Sequence, residues 1–200
     1  PNNPTGTIYS AAALRRIADE SGALLLVDEA YGEYCGQNLR GLLDDFDNVI
    51  LLRTFSKAYA MAGQRVGYVL TSPKLAAELD KNVNSFPIST FSETMALVAL
   101  EHSHRFLDNV AATISQRERL SARLREIPGI HVFSSGTNFI LIRVAAADRI
   151  TAALRDEERI LVNNMAAYPE LPNTLRISIG RPEQNDAVVR TIHTVMRQKP

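Results

Sequence analysis

The stretch Asn48-Val49-Ile50-Leu51-Leu52-Arg53-Thr54-Phe55-Ser56-Lys57 decides how this chain is read, because it carries an apolar strand into a Thr/Ser-rich bend that ends in one amine. An unbroken apolar run of this kind reads as a strand buried on both faces, as in an α/β sheet covered by helices. A lysine at the mouth of such a strand is partly stripped of water. That environment favours the neutral, nucleophilic amine and suits a Schiff-base lysine. A Ser-Lys pair is also ordinary surface material, so Lys57 acquires meaning only from its surroundings.

Two neighbouring runs, Ala23-Leu24-Leu25-Leu26-Val27 and Val66-Gly67-Tyr68-Val69-Leu70, have the same unbroken apolar character. Between Arg53 and Arg65 the chain is too short for a helical crossover, which takes about a dozen residues, so these two strands are expected to be antiparallel neighbours joined by the lysine bend. A helix over 11–20, with Ser10 as N-cap and Gly22 as its stop, supplies one covering layer. Ser72-Pro73 opens another, through about Asn82.

The chain changes character near residue 105. A helix from about Ser92 to Glu101 leads into a long amphipathic one from about Arg105 to Glu126, stopped at Pro128-Gly129. Strands follow at 130–133 and 138–144 across the turn Ser134-Ser135-Gly136-Thr137. Then come a helix near 148–158, strands at 160–162 and 174–179, and a closing helix that begins at Pro182. The fold class expected is α/β: residues 1–105 form part of a large, mostly parallel sheet domain and residues 106–200 a small C-terminal α+β domain.

The composition narrows the function. The 200 residues are 46% apolar and 22% charged, ample for a packed core. Acidic and basic side chains balance at 22 each, so no overall field attracts phosphate backbones or anionic lipid, and nucleic acid is not an expected partner. No apolar run approaches the roughly 20 residues of a membrane span, and Pro1-Asn2-Asn3-Pro4 has no signal-peptide character; a cytoplasmic protein is expected. The single cysteine, Cys35, excludes an intrachain disulfide and reads as a structural thiol. His102-Ser103-His104 lacks neighbouring carboxylates and reads as a solvated helix end, so no metal site is expected.

Four further positions bear on Lys57. The turn-rich segment Pro1-Asn2-Asn3-Pro4-Thr5-Gly6-Thr7 offers the Asn3 amide as a hydrogen-bond donor. Asp28 follows a buried strand directly, where α/β sheets place ligands, and its desolvation calls for a cationic partner; capping the next turn is the alternative. Tyr31 stands three residues on. Arg65 opens a strand between Gly63 and Gly67, in a bend where the backbone approaches closely enough for a guanidinium to meet an anion.

In this order the motifs resemble the fold type I pyridoxal-phosphate enzymes and, among them, the class I/II aminotransferases of the histidinol-phosphate aminotransferase type. The resemblance covers essentially the whole chain. It rests on Asn3-Pro4-Thr5-Gly6, on Val27-Asp28-Glu29-Ala30-Tyr31, on the segment from Thr54 through Lys57 and Arg65 to Tyr68, and on Leu175-Arg176-Ile177-Ser178-Ile179-Gly180.

The resemblance implies pyridoxal 5'-phosphate as cofactor and assigns roles. Lys57 would carry the cofactor as a Schiff base and later move the proton at the substrate Cα. Asp28 would pair with the pyridine nitrogen, and Asn3 and Tyr31 would hydrogen-bond the phenolic oxygen. Arg65, Thr54 and Ser56 would bind the phosphate. Arg176 would clamp the substrate α-carboxylate. A homodimer acting on small amino-acid and 2-oxo-acid substrates is implied as well.

Two departures qualify it. The family's Asn-Pro-x-Gly motif lies mid-protein, so roughly the first half of a family member is expected to be missing here. Asn163 stands after Ile160-Leu161-Val162 where histidinol-phosphate aminotransferases carry a phosphate-binding arginine, which points to another substrate, such as an aromatic amino acid. Three readings follow: a transaminase, a pyridoxal-phosphate decarboxylase of the same fold, and an inactive fragment that keeps the fold without the cofactor.

Overall fold

The computed structural model describes residues 1–198. The chain divides into two compact units, one of residues 8–110 with Pro1 and one of residues 2–7 with 111–200. The division falls inside a long helix.

The first unit begins with α1 (Ala11–Glu20), whose first turn is held by Ser10: its hydroxyl accepts from the Ala13 amide at 3.1 Å. Gly22, with φ of +63°, turns the chain out of the helix. Next come β1 (Leu25–Asp28), the short helices α2 (Gly32–Cys35) and α3 (Leu42–Asp45), β2 (Val49–Thr54), β3 (Gly67–Thr71), α4 (Pro73–Asp80) and α5 (Thr90–Glu101). The sheet order is β1-β2-β3. β1 runs parallel to β2, with Leu25 opposite Val49 and Asp28 opposite Leu52. β2 and β3 are antiparallel, from Ile50 opposite Thr71 to Thr54 opposite Gly67, so the lysine bend does connect a hairpin.

Leu14 and Ala18 of α1 and Leu42 of α3 bury one face of this sheet against Val49 and Leu51. The expectation that all three strands are buried on both faces holds for β2 alone. Along β1 the exposure alternates, Leu26 being 57% exposed between half-buried Leu25 and Val27, and Val69 of β3 is 41% exposed. The reason is position: β2 is flanked by a strand on each side, whereas β1 and β3 are edges of the sheet among the described residues. A second core joins Phe55, Met61 and Val66 to Ala96 and Ala99 of α5.

The helix α6 (Ser103–Arg125) carries the chain into the second unit, which adds β4 (Ile130–Val132), β5 (Phe139–Val144), α7 (Ala147–Glu158), β6 (Asn163–Asn164), β7 (Thr174–Ser178) and α8 (Pro182–Arg197). The sheet order is β4-β5-β7-β6, every pairing antiparallel. Leu120 and Leu124 of α6, Ile150 and Leu154 of α7 and Ile192 of α8 cover Ile140, Ile142, Leu175 and Ile177 in one apolar cluster. A strand at 160–162 is not formed. Arg159 closes α7 in the left-handed region, and the Ile160 amide donates back to the Leu154 carbonyl at 2.9 Å. Ile160 and Val162 still pack on the core, but pairing with β7 begins only at Asn163, opposite Arg176. Among the described residues no helix is long and apolar enough to cross a membrane.

Residues 2–7 dock on the turn between β4 and β5, where the Gly136 amide donates to the Gly6 carbonyl at 2.9 Å. Gly6 has φ of +75°, and a Cβ there would lie 2.6 Å from Ser135 Oγ. Gly6→Ala is therefore expected to lower the unfolding free energy by about 2–4 kcal/mol, the sum of a left-handed backbone penalty and overpacking. A urea-unfolding curve superimposable on that of the parent would contradict this account of the turn.

Candidate active site

The bend after β2 is built by side chains pointing two ways. Phe55, Ala58 and Met61 turn inward and are buried, which leaves Ser56 and Lys57 half-exposed on the other side. The Thr54 hydroxyl accepts from the Ser56 amide at 3.1 Å and donates to the Ser56 hydroxyl at 2.9 Å, a local turn of the kind Thr and Ser favour. The Phe55 amide donates to the Val66 carbonyl and the Met61 amide to the Phe55 carbonyl, both at 3.0 Å, which closes the loop. Gly67 is required by close approach, since a Cβ there would lie 2.9 Å from the Arg53 carbonyl oxygen. Gly63 has open space around it and plays no such part.

The bend forms one wall of a cleft of about 390 Å³, lined among others by Asp28, Thr54, Ser56, Lys57 and Arg65. That size is ordinary for a small-molecule site. Lys57 Nζ sits 5.4 Å from the centroid of the Tyr31 ring, which is buried at the base of the turn after β1. Arg65 adopts the left-handed conformation, φ 55°, and its Nη1 donates to the Ala62 carbonyl at 2.9 Å, which fixes one edge of the guanidinium. The first unit thus brings Asp28, Tyr31, Thr54, Ser56, Lys57 and Arg65 together at the C-terminal ends of β1 and β2, where open α/β sheets bind ligands.

Asp28 is exposed in the cleft, and its Oδ1 accepts from the Ala30 amide at 2.8 Å. The carboxylate with a buried cationic partner is its neighbour: Glu29, only 4% exposed, accepts from Arg53 Nε at 2.9 Å. Burial opposes the Arg53 charge, but the bond and charge of Glu29, with Tyr68 close by, outweigh it and raise the guanidinium's pKa. Beside them, burial pushes the Glu33 carboxyl above the ordinary glutamate range, against the pull of Arg53 and its own backbone. The pair of Glu29 and Arg53 had no role in the sequence reading. Strict alternation gives half of it, because Glu29 continues the face of Leu25 and Val27 as Arg53 continues that of Val49 and Leu51, but the register that brings the two together is not local.

The other two expected site residues belong to the second unit and are joined to each other. Arg176 Nη1 donates to Asn3 Oδ1 at 2.6 Å, and its guanidinium carbon lies 5.2 Å from the centroid of the Phe139 ring. Asn163 is the residue directly opposite Arg176 in the β6–β7 ladder, so the two project from the same face of that sheet. No group of three or more His, Cys, Asp or Glu among the described residues is arranged to hold a metal ion.

Comparison with known proteins gives this geometry a family. Residues 1–192 match the model of aminotransferase class I and II. The chain is 40% identical over 193 residues to the histidinol-phosphate aminotransferase of Chlorobaculum tepidum, covering 96% of this chain and 55% of that protein. Among solved structures it resembles the histidinol-phosphate aminotransferase of Sinorhizobium meliloti in complex with pyridoxal-5'-phosphate, with a TM-score of 0.84 at 29% identity, covering 98% of this chain and 55% of that one. The L-threonine-O-3-phosphate decarboxylase of Porphyromonas gingivalis shares the fold, with a TM-score of 0.87 at 20% identity over 99% of this chain and 63% of that one. The chain belongs to the class I and II aminotransferases, and its fold is that of the type I pyridoxal-phosphate enzymes. It spans about half the length of the curated relatives it matches.

Proposed function

We propose that this chain supplies the lysine-bearing part of a pyridoxal-5'-phosphate-dependent aminotransferase, which moves an amino group between an amino acid and a 2-oxo acid. The observation that carries the reading is the cleft itself: an amine, a carboxylate, two hydroxyls and a guanidinium line one small-molecule-sized space. Those groups match the aldehyde, ring nitrogen and phosphate of the coenzyme in kind and in sign of charge. When bound, pyridoxal phosphate supplies an electron sink for negative charge developing at the substrate Cα.

The residues do the rest. Lys57 would hold the coenzyme through its amine and would move a proton at the substrate Cα. Asp28, oriented by the Ala30 amide, offers a fixed negative charge that keeps the ring nitrogen protonated. Arg65 and the hydroxyl of Ser56 hold the phosphate, and Thr54 shapes the turn that presents Ser56. Tyr31, whose ring centroid lies 5.4 Å from the Lys57 amine, would donate to the ring oxygen. In the second unit Arg176, held by Asn3, is the clamp for a substrate carboxylate. Product analysis tests the reaction type: a 2-oxo acid formed in step with amino-group transfer supports transamination, and release of carbon dioxide instead supports the decarboxylase reading.

Asn163 bears on the substrate. It offers a neutral amide beside Arg176, where the family resemblance places a cation for a distal phosphate, and an amide cannot replace a bidentate cation there. The substrate that fits is an amino acid with no distal phosphate, an aromatic one being the best match. Asn163→Arg is expected to raise kcat/KM for histidinol phosphate by about 10–100-fold, the range of a charge-assisted hydrogen bond. Efficient turnover of histidinol phosphate by the unaltered enzyme would sink this assignment.

A further inference from the structure

Asp28 and Lys57 sit on different strands, and their relative position rests on what ties β1 to β2 at the ends where both emerge. The main-chain ladder finishes at Asp28 opposite Leu52, with one further bond from the Glu29 amide to the Leu52 carbonyl at 2.8 Å. Beyond it the strands part: the Gly32 amide bonds the Glu29 carbonyl at 2.8 Å, and the Phe55 amide turns to Val66. One side-chain link continues the connection. Arg53 Nε donates to Glu29 Oε2 at 2.9 Å, with the Glu29 side chain 4% and that of Arg53 26% exposed. Glu29 directly follows Asp28, and Arg53 directly precedes Thr54, four residues before Lys57. Arg53 also stands opposite Tyr68 in the β2–β3 ladder, so the residue that bonds Glu29 lies on the central strand of the three.

From this we infer that Glu29 and Arg53 are positioning residues, a buried clamp that sets the separation of the Asp28 carboxylate from the Lys57 amine. The inference rests on the pyridoxal-phosphate reading. Glu29 is buried and does not line the cleft, and Arg53, which does line it, acts here through its bond to Glu29. Glu29 directly follows Asp28 and Arg53 directly precedes the turn of Thr54 to Lys57, and a shift of about 1 Å in the groups they position costs a site dearly.

The test uses the natural protein with pyridoxal phosphate as probe. Glu29→Gln leaves the shape and removes the charge; Glu29→Leu with Arg53→Met replaces the pair by apolar groups, an exchange that commonly preserves stability. The dissociation constant of pyridoxal phosphate, the pH at which the visible absorbance of the bound coenzyme titrates, and the melting temperature of the coenzyme-free protein are measured on each. A clamp predicts a dissociation constant raised about tenfold or more and a displaced titration in both variants, including the double variant whose melting temperature matches that of the parent. Affinity and titration that recover together with stability in the double variant would overturn the proposal, as would a change in melting temperature alone. Failure of the parent protein itself to bind pyridoxal phosphate would reject the coenzyme reading instead, so the two failures are distinguishable.

Discussion

Lys57→Ala is expected to abolish covalent capture of pyridoxal phosphate and to lower kcat about 10⁴-fold. Two losses combine in it. On the proposed reading the variant lacks both the amine that would hold the coenzyme and the base that would move the proton at the substrate Cα, a step for which a positioned side chain is by itself typically worth 10²–10⁴-fold. The fold has little stake in this residue. The bend is held by the buried side chains of Phe55, Ala58 and Met61 and by the bonds of Thr54, none of which involve the Lys57 side chain. The melting temperature of the coenzyme-free variant should therefore match that of the parent. A variant that keeps more than a tenth of the activity would remove Lys57 from the chemistry.

Asp28→Asn should lower kcat about 10²–10³-fold while the protein folds as before. Asparagine keeps the oxygen that accepts from the Ala30 amide, so the turn after β1 survives. What disappears is the negative charge. Removing one partner of a desolvated charge pair costs about 3–5 kcal/mol, and each 1.36 kcal/mol is a tenfold change. Asp28 is exposed without the coenzyme, which discounts the figure toward its lower end. Steady-state kinetics with saturating coenzyme measure the loss. Activity within threefold of the parent would mean that the ring nitrogen needs no carboxylate, and that Asp28 only caps the turn.

Much of this was legible in the sequence for local physical reasons. The limits of α1 were written in Ser10 and Gly22, one supplying an oxygen to the first turn and the other a left-handed exit. The antiparallel pairing of β2 and β3 followed from a connection too short for a crossover. Lys57, Asp28, Tyr31 and Arg65 drew notice as strand-end and turn residues, and the family resemblance added Thr54 and Ser56.

What stayed hidden depended on partners distant in sequence. Apolar residues alone do not reveal whether a strand is central or an edge, so the exposed faces of β1 and β3 were missed. Residues 160–162 look like a strand because all three are apolar, yet pairing with β7 begins only at Asn163. The bond between Asn3 and Arg176 joins residues 173 apart, and no local pattern links them. Glu29 and Arg53 were each read as part of a motif, and only the parallel register shows that the two meet.

Lys57 is expected to be the one lysine that captures pyridoxal phosphate. Incubation of the natural protein with pyridoxal phosphate, reduction with borohydride, intact mass and peptide mapping test it most directly. A single pyridoxyl group, on Lys57, is the expected result. No adduct, or adducts scattered over several lysines, would contradict it.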